Sequence, residues 1–417
     1  MNAMKHVVCP GCTLLCDDIE IVESGSHPTA INACDRGQRY FENPLRSERK
    51  HFVHGEPAQL DAAVDAAVEI LSQSKSPLVC GLDQMTTESQ QASWKLADTL
   101  GATIDTTLSP GDRSSMFALQ RVGKVTATIG EIANRSDLVI FWFCDPQTTH
   151  PRLLERLSRS SDHPPRRIIV VDQISNKTVE FADSFIQIDR ERCPAVLSAL
   201  RARIAQLQLN ETHILETTGL ELDVIEDLAC ALSQAKYGSF FFGQTTPDST
   251  FDLGTNSLSQ LVKQLNDMTR FVSMKLRTDA NALSAENVLA WSSGYPFAVN
   301  HNLEYPRYNW LEFSANEMLA RGQCDTILFA TLAEAQQTFA KVEVTARDHL
   351  DSIPKIALAP FAGFPSDVAF QTGFPGLDES GEFCRNDDIS IGLTNTYANG
   401  NFSATDILEK IAKRFDS

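Results

Sequence analysis

Residues 58–82, "AQLDAAVDAAVEILSQSKSPLVCGL", contain one complete helix-then-strand unit. Leu60, Val64, Val68 and Leu71 recur at helical spacing, which predicts a helix with one apolar face over 58–75. "PLVCGL" is a short uninterrupted apolar run, the pattern of a strand buried on both faces. The alternation repeats along the chain. "SWKLADTLGATI" (93–104) reads as helix then strand, and "IANRSDLVIFWFCDP" (132–146) ends in the apolar run Leu138 to Phe143. "RRIIVVDQ" (166–173), "SFFFGQ" (239–244) and "CDTILFA" (324–330) are further strands. Short apolar strands separated by helices predict parallel sheet covered on both sides, so the fold class is α/β with at least two doubly wound units. Ligands of such sheets sit beyond the carboxyl ends of the strands, which directs attention to the loops 143–152, 171–178 and 242–249. None of these carries G-x-G-x-x-G or a P-loop, so no nucleotide is indicated by motif.

Composition narrows the function. A chain of 417 residues with 42% hydrophobic content builds an ordinary core divided among two or three domains. Its 54 acidic against 36 basic residues give a net charge of -18, so the average surface repels nucleic acid and anionic membrane. Proteins or small molecules remain as partners. No apolar run is long enough to span a bilayer, and "MNAMKHVV" has no signal-peptide pattern, so a cytoplasmic location is expected. There, ten cysteines argue against a disulfide framework and for metal binding by any tight cluster.

Such a cluster opens the chain. Cys9, Cys12 and Cys16 in "VVCPGCTLLCDD" and Cys34 in "INACDRGQ" have the spacing C-x2-C-x3-C-x17-C. Three thiolates from one loop and a fourth from a later turn suit an iron–sulfur cluster; structural zinc, which favours two separated C-x2-C pairs, is the second reading and unoccupied thiols the third. Pro10 and Gly11 suit a tight loop, and the stretch 17–34 reads as an antiparallel hairpin that carries Cys34 back. Cys80, Cys144, Cys193, Cys230, Cys324 and Cys384 are scattered singly and read as buried filler. His6, His27, His51, His54, His163, His213, His301 and His349 lack metal spacing and read as surface or satisfied core residues, and His150-Pro151-Arg152 as a polar turn.

Taken together, "VVCPGCTLLCDDI" (7–19), "INACDRG" (31–37), "ALQRVGKVTATIGEIANRSDLVIFWFCDPQTTHPR" (118–152), "WSSGYPFAVN" (291–300), "YPRYN" (305–309) and "LARGQCDTILFA" (319–330) resemble the B subunit of formylmethanofuran dehydrogenase, in the molybdopterin oxidoreductase superfamily. The resemblance covers nearly the whole chain. It implies a formate dehydrogenase/DMSO reductase-like fold without the C-terminal β-barrel: a small cysteine-rich cluster domain over 1–56, an α/β domain from 57–110 with 312–417, and a second α/β domain over 111–311. It also implies that Cys9, Cys12, Cys16 and Cys34 ligate a 4Fe-4S cluster, beside a tungsto- or molybdopterin that interconverts carbon dioxide or formate with electrons.

Within "TTLSPGDRSSMFALQRVG" (106–123), the resemblance places Gly111 where active members carry a metal-ligating cysteine or selenocysteine, and Asp112 where a histidine follows. Glycine offers no donor, "SPGD" reads as a turn, and a soft metal wants thiolate or selenolate. In "SMKLRTDANALS" (273–284) the family arginine remains as Arg277, followed by Asp279 and Ser284; it reads either as a carboxylate binder or as half of an ion pair. In "LDESGEFCRNDD" (377–388), Asp378 stands for the glutamate and Glu382 for the threonine of a segment near the family's pterin, where an acid opposes bound phosphate. The expectation is a non-redox B subunit, without tungsto- or molybdopterin, in a formyltransferase/hydrolase complex of tetrahydromethanopterin-linked C1 metabolism. That complex hydrolyses a formyl group to formate using sites on its other subunits, which would be this chain's partners. The alternatives are an active tungsten or molybdenum dehydrogenase and a stand-alone iron–sulfur or zinc protein.

Overall fold

The helical periodicity of 58–75 emerges as a helix over Leu60–Gln73 that buries Ala63, Val64, Ala67 and Leu71, and the apolar run after it is the strand Pro77–Cys80, buried throughout. These elements belong to a computed structural model that describes residues 3–24, 27–42, 49–107, 113–158, 166–243, 249–332, 335–361, 363–396 and 402–415. The chain begins with β1 (Ala3–Val7), β2 (Ile19–Ser24) and β3 (His27–Ile31), a three-stranded antiparallel sheet. The hairpin expected over 17–34 is β2–β3, with Glu20 opposite Ile31, and β1 adds a strand that periodicity did not signal. Then come α1 (Asp35–Phe41), β4 (His51–Val53), β5 (Glu56–Ala58), α2 (Leu60–Gln73), β6 (Pro77–Cys80), α3 (Thr87–Thr99) and β7 (Thr103–Asp105).

A second body follows, built from α4 (Arg113–Val122), α5 (Ile129–Arg135), β8 (Leu138–Trp142), β9 (Arg167–Asp172), β10 (Ser184–Gln187), α6 (Cys193–Ile204), α7 (Leu222–Gln234), β11 (Tyr237–Gly243), α8 (Ser249–Leu265) and β12 (Arg270–Leu276). The chain then returns through α9 (Ala282–Ser293), β13 (Val299–Asn300), β14 (Arg307–Tyr308), β15 (Thr326–Ala330), β16 (Lys355–Ala359), β17 (Val368–Gln371), β18 (Gly381–Cys384), β19 (Ser390–Leu393) and α10 (Ala404–Phe415).

The first body holds a nine-stranded sheet of order β14-β13-β7-β6-β15-β16-β17-β4-β5. Its middle, β7 to β17, is parallel, with antiparallel pairs on both edges. Because strand side chains alternate, Val79, Leu328 and Ile356 join a cluster with α2, α3, α9 and α10, while Leu78, Ile327, Phe329 and Ala357 join Met318, Leu319, Ala346 and Leu350 in another. Both faces are therefore apolar, which is why these strands read as continuous runs. The five-stranded sheet, order β10-β9-β8-β11-β12, is parallel throughout. Leu138, Ile140, Phe240 and Phe242 pack against Leu197, Leu228 and Leu261 of α6, α7 and α8. Gly238 is required there, since a Cβ would stand 2.1 Å from the Phe271 ring.

By contacts the chain divides into Met1–Ser109, Asp279–Arg385 and Ser390–Ser417 on one side, and Pro110–Thr278 with Asn386–Ile389 on the other. The cysteine segment thus counts with the first unit, where the sequence reading set 1–56 apart, and the return comes at Asp279 where that reading placed it at 312. The reason is the edge hairpin: β13 pairs with β7, Val299 opposite Ile104, so residues before 312 already complete the first sheet. Asn386 is held to the second unit by donating from Nδ2 to Lys275 O at 2.6 Å.

Candidate functional site

The loop 8–18 is closed by its own backbone. Cys9 N–H donates to Cys16 O at 2.8 Å, Leu15 N–H donates to Cys12 O at 3.2 Å, and Leu15 takes a left-handed φ of 44° to make the reversal. Cys34 is the N-cap of α1 and its thiol makes no capping bond, so the sulfur is not committed to the helix. Arg36 from the first turn of α1 reaches back to Gly11 O through Nε (3.4 Å) and Nη2 (3.3 Å). Gly11 and Gly37 both crowd the Cys9 sulfur: a Cβ at either would lie 3.3 or 3.0 Å from Sγ. Glycine is therefore what lets loop and helix approach that sulfur. Tyr40 Oη donates to Pro375 O at 2.8 Å, tying α1 to the turn that precedes β18.

Cys9, Cys12 and Cys16 are buried and Cys34 is half-buried. Burial pushes the Cys9 thiol far up, and the nearby Cys12, Cys16 and Cys34 add to the rise against one Gly11 backbone bond. Burial likewise pushes Cys12 up to about 12, with Cys16 and Cys34 adding and Arg36 opposing. Without a metal these thiols stay protonated, so any metal that binds must displace protons from neighbouring sulfurs. Among the described residues, no group of three or more His, Cys, Asp or Glu could hold a metal ion. A single tetrahedral zinc needs sulfurs about 3.8 Å apart, from its Zn–S length. A cubane cluster spreads its four thiolates over four irons, around a larger body than one ion. Three of the four cysteines come from one loop and the fourth from the cap of α1.

The other sequence-derived positions fall elsewhere. Gly111 and Asp112 lie outside the described residues. Arg277 is buried just after β12, in the second unit, where its N–H donates to Asn386 Oδ1 at 3.4 Å. Asp279 accepts from Gln84 Nε2 at 2.9 Å and faces Lys341 Nζ at 3.4 Å, while Lys341 also reaches Asp83 at 3.2 Å. Asp83 draws Lys341 up in pKa, and burial pushes Asp83 to about 6. Ser284 shares a 2.7 Å hydrogen bond with Thr87. Asp378 pairs with Arg49 at 2.6 Å, both side chains buried, and also accepts the Phe374 N–H. Glu382 is exposed, and its N–H donates to Glu88 Oε2 at 3.0 Å.

His150, read as part of a polar turn, is buried with Thr149 Oγ1 at 2.9 Å from Nδ1. His301, read as surface or satisfied core, is buried edge-on to Trp94 at 4.4 Å, and among the described residues its Nε2 has no hydrogen-bond partner. Sequence reasoning missed the Lys341–Asp83–Asp279 group and Glu379. Neither has a motif, since their partners are 258 residues away in one case and hydroxyls in the other.

No family model matches the chain. The B subunit of the tungsten-containing formylmethanofuran dehydrogenase 2 of Methanococcus maripaludis is 29% identical over 440 residues, covering 100% of this chain and 99% of that protein. Its counterpart in Methanocaldococcus jannaschii is 29% identical over 94% of this chain and 93% of that protein. The chain is a homologue of the formylmethanofuran dehydrogenase B subunit. The B subunit of the formyltransferase/hydrolase complex Fhc of Methylorubrum extorquens is 24% identical over 67% of this chain and 73% of that protein. Among solved structures, the FhcABCD complex of the same organism with methylofuran matches at a TM-score of 0.73, with 23% identity, 88% of this chain and 98% of the matched chain. Acetylene hydratase from Pelobacter acetylenicus matches at 0.66, with 14% identity, 99% of this chain and 69% of that one. These likenesses are of fold.

Three positions that the resemblance sets near a tungsto- or molybdopterin carry the following residues. Gly111 has no side chain, Asp378 is taken up by Arg49, and Glu382 faces solvent. No helix among the described residues is long and apolar enough to cross a membrane.

Proposed function

We propose that this chain is a non-redox B subunit in a formyltransferase/hydrolase complex that releases formate, within tetrahydromethanopterin-linked C1 metabolism in the cytoplasm. The observation that carries the reading is Gly111: a chain similar to a dehydrogenase B subunit over its entire length has a residue without a side chain where the resemblance calls for thiolate or selenolate. The protein then acts through its α/β body, by binding the subunits that perform the hydrolysis. Cys9, Cys12, Cys16 and Cys34 hold one 4Fe-4S cluster on this reading, as a structural tie between the loop and α1. The spacing of the four cysteines, the electrostatic action of Cys12, Cys16 and Cys34 on Cys9, and the uncommitted Cys34 thiol support it.

One observation favours a second reading, an active tungsten dehydrogenase subunit. The relatives that match the chain over 94% or more of its length belong to tungsten-containing enzymes. Metal and pterin analysis of the complex purified with its co-expressed subunits separates the two. The expected preparation contains no tungsten, molybdenum or pterin and does not reduce viologen dyes with formate or formyl-furan donors. Stoichiometric pterin would overturn the scaffold reading in favour of the dehydrogenase.

A further inference from the structure

Glu379 is a buried carboxyl with which, among the described residues, no cation pairs. It ends the turn 374–379, in which Phe374 O accepts the N–H groups of Leu377, Asp378 and Glu379. Its side chain is directed to the place where α3 and α10 begin side by side. There Glu379 Oε1 lies 3.4 Å from Ser89 Oγ and 3.5 Å from Thr86 Oγ1, and Thr405 Oγ1 meets Ser89 Oγ at 2.9 Å. The Ala404 N–H also bonds to the carboxyl. Among the described residues, Oε2 is buried without a hydrogen-bond partner. The helix starts are otherwise capped: Thr86 accepts the Ser89 N–H, and Ser403 and Asp406 cap one another.

The charged and titratable groups around it come from every packed element. Asp378 of the same turn is committed to Arg49, Asp406 of α10 to Ser403, Glu88 of α3 to the Glu382 N–H, and Tyr40 of α1 to Pro375 O. A metal cation would face the positive ends of two helices. The helix ends and the hydroxyl donors favour the carboxylate, while burial with Oε2 unbonded and no cation at hand favours the neutral acid, which has no charge to desolvate.

We propose that Glu379 is a proton-operated latch: as the neutral acid it lies uncharged beside the hydroxyl cluster that joins the starts of α3 and α10, and release of that proton to solvent leaves a buried charge there that loosens α10 from α3. Burial pushes the carboxyl up to about 8, the Ala404 N–H opposing, Asp378 adding, the Ser89 hydroxyl opposing and Asp406 adding. The unfolded chain releases this proton near 4.5 while the folded chain keeps it until about 8. Stability from this group is therefore full below the lower value, declines as pH rises between the two, and is level above the upper one. The part that yields is α10, whose Ile407, Leu408 and Ile411 lie in the core with α2 and α3.

The test is urea unfolding of the full chain and of Glu379→Gln, from acid to alkaline pH. Glutamine keeps the size and hydrogen bonding but cannot ionise. The folding equilibrium constant of the variant should gain on the native chain by about tenfold per pH unit between about pH 5 and pH 8, then hold a constant ratio. Parallel profiles would overturn the latch. Should the variant fail to fold, the native chain alone decides: the infrared carbonyl band of a protonated buried carboxyl should be present at neutral pH and vanish at alkaline pH, with faster hydrogen exchange in α10 over the same range. A native chain without that band at neutral pH overturns the proposal.

Discussion

Asp378 and Glu379 are neighbours in sequence with opposite fates. Asp378 sits 2.6 Å from Arg49 with both side chains under 5% exposed, and Arg49 also donates to Pro360 O at 3.3 Å. Two desolvated charges that satisfy one another gain little over an apolar pair, but either one left alone is costly. Arg49→Met should therefore lower stability by about 3–5 kcal/mol in urea unfolding, and Arg49→Met with Asp378→Leu should recover most of the loss. A double variant as unstable as the single one would show that Asp378 serves something other than Arg49. The sequence shows an acidic run over 377–388 and nothing of this division of labour. Arg49 lies 329 residues from Asp378, and only the fold brings it there.

At the scale of elements, the N-terminal sheet and α1 enclose four sulfurs but few large apolar side chains. Leu14, Leu15, Ile19, Ile21 and Phe41 are its buried anchors. A four-thiolate site adds stability where such a core is thin, on the order of 10 kcal/mol in small metal-dependent domains. Anaerobic purification should yield about four irons and four sulfides per chain, the content of one 4Fe-4S cluster. On the cluster reading, Cys12→Ser should abolish both and leave the first ~50 residues protease-sensitive. Metal-free protein with a protease-resistant N-terminus would show that the cysteines hold nothing, and one zinc per chain would replace the cluster with the second reading. The spacing of the cysteines was legible in the sequence; the crowding that forces glycine at 11 and 37 was not, because it depends on α1 packing back onto the loop.

The whole molecule carries a net charge of -18, yet Trp291, Leu303, Tyr305 and Leu311 are all more than half exposed on the first unit. On the scaffold reading, these side chains are where partner subunits would sit. Expressed without its partner subunits, the chain should aggregate or precipitate, and co-expression with them should return it as a monodisperse complex. Light scattering of the two preparations checks this. A stable, monodisperse isolated chain would count against the scaffold role.

The sequence by itself determined the α/β class, a helix within 58–75 and its strand, the β2–β3 hairpin and the order of the cysteines. Each of these follows from periodicity or spacing within a few dozen residues, which local physics reads directly. The tertiary structure alone decided where the chain changes bodies, because β13 joins β7 by a pairing across nearly two hundred residues. It alone decided that His150 is buried, that Asp279 and Lys341 meet, and that Glu379 stands between two helix starts with no cation among the described residues. Burial sets the charge state of such groups, and burial is a property of the packed chain.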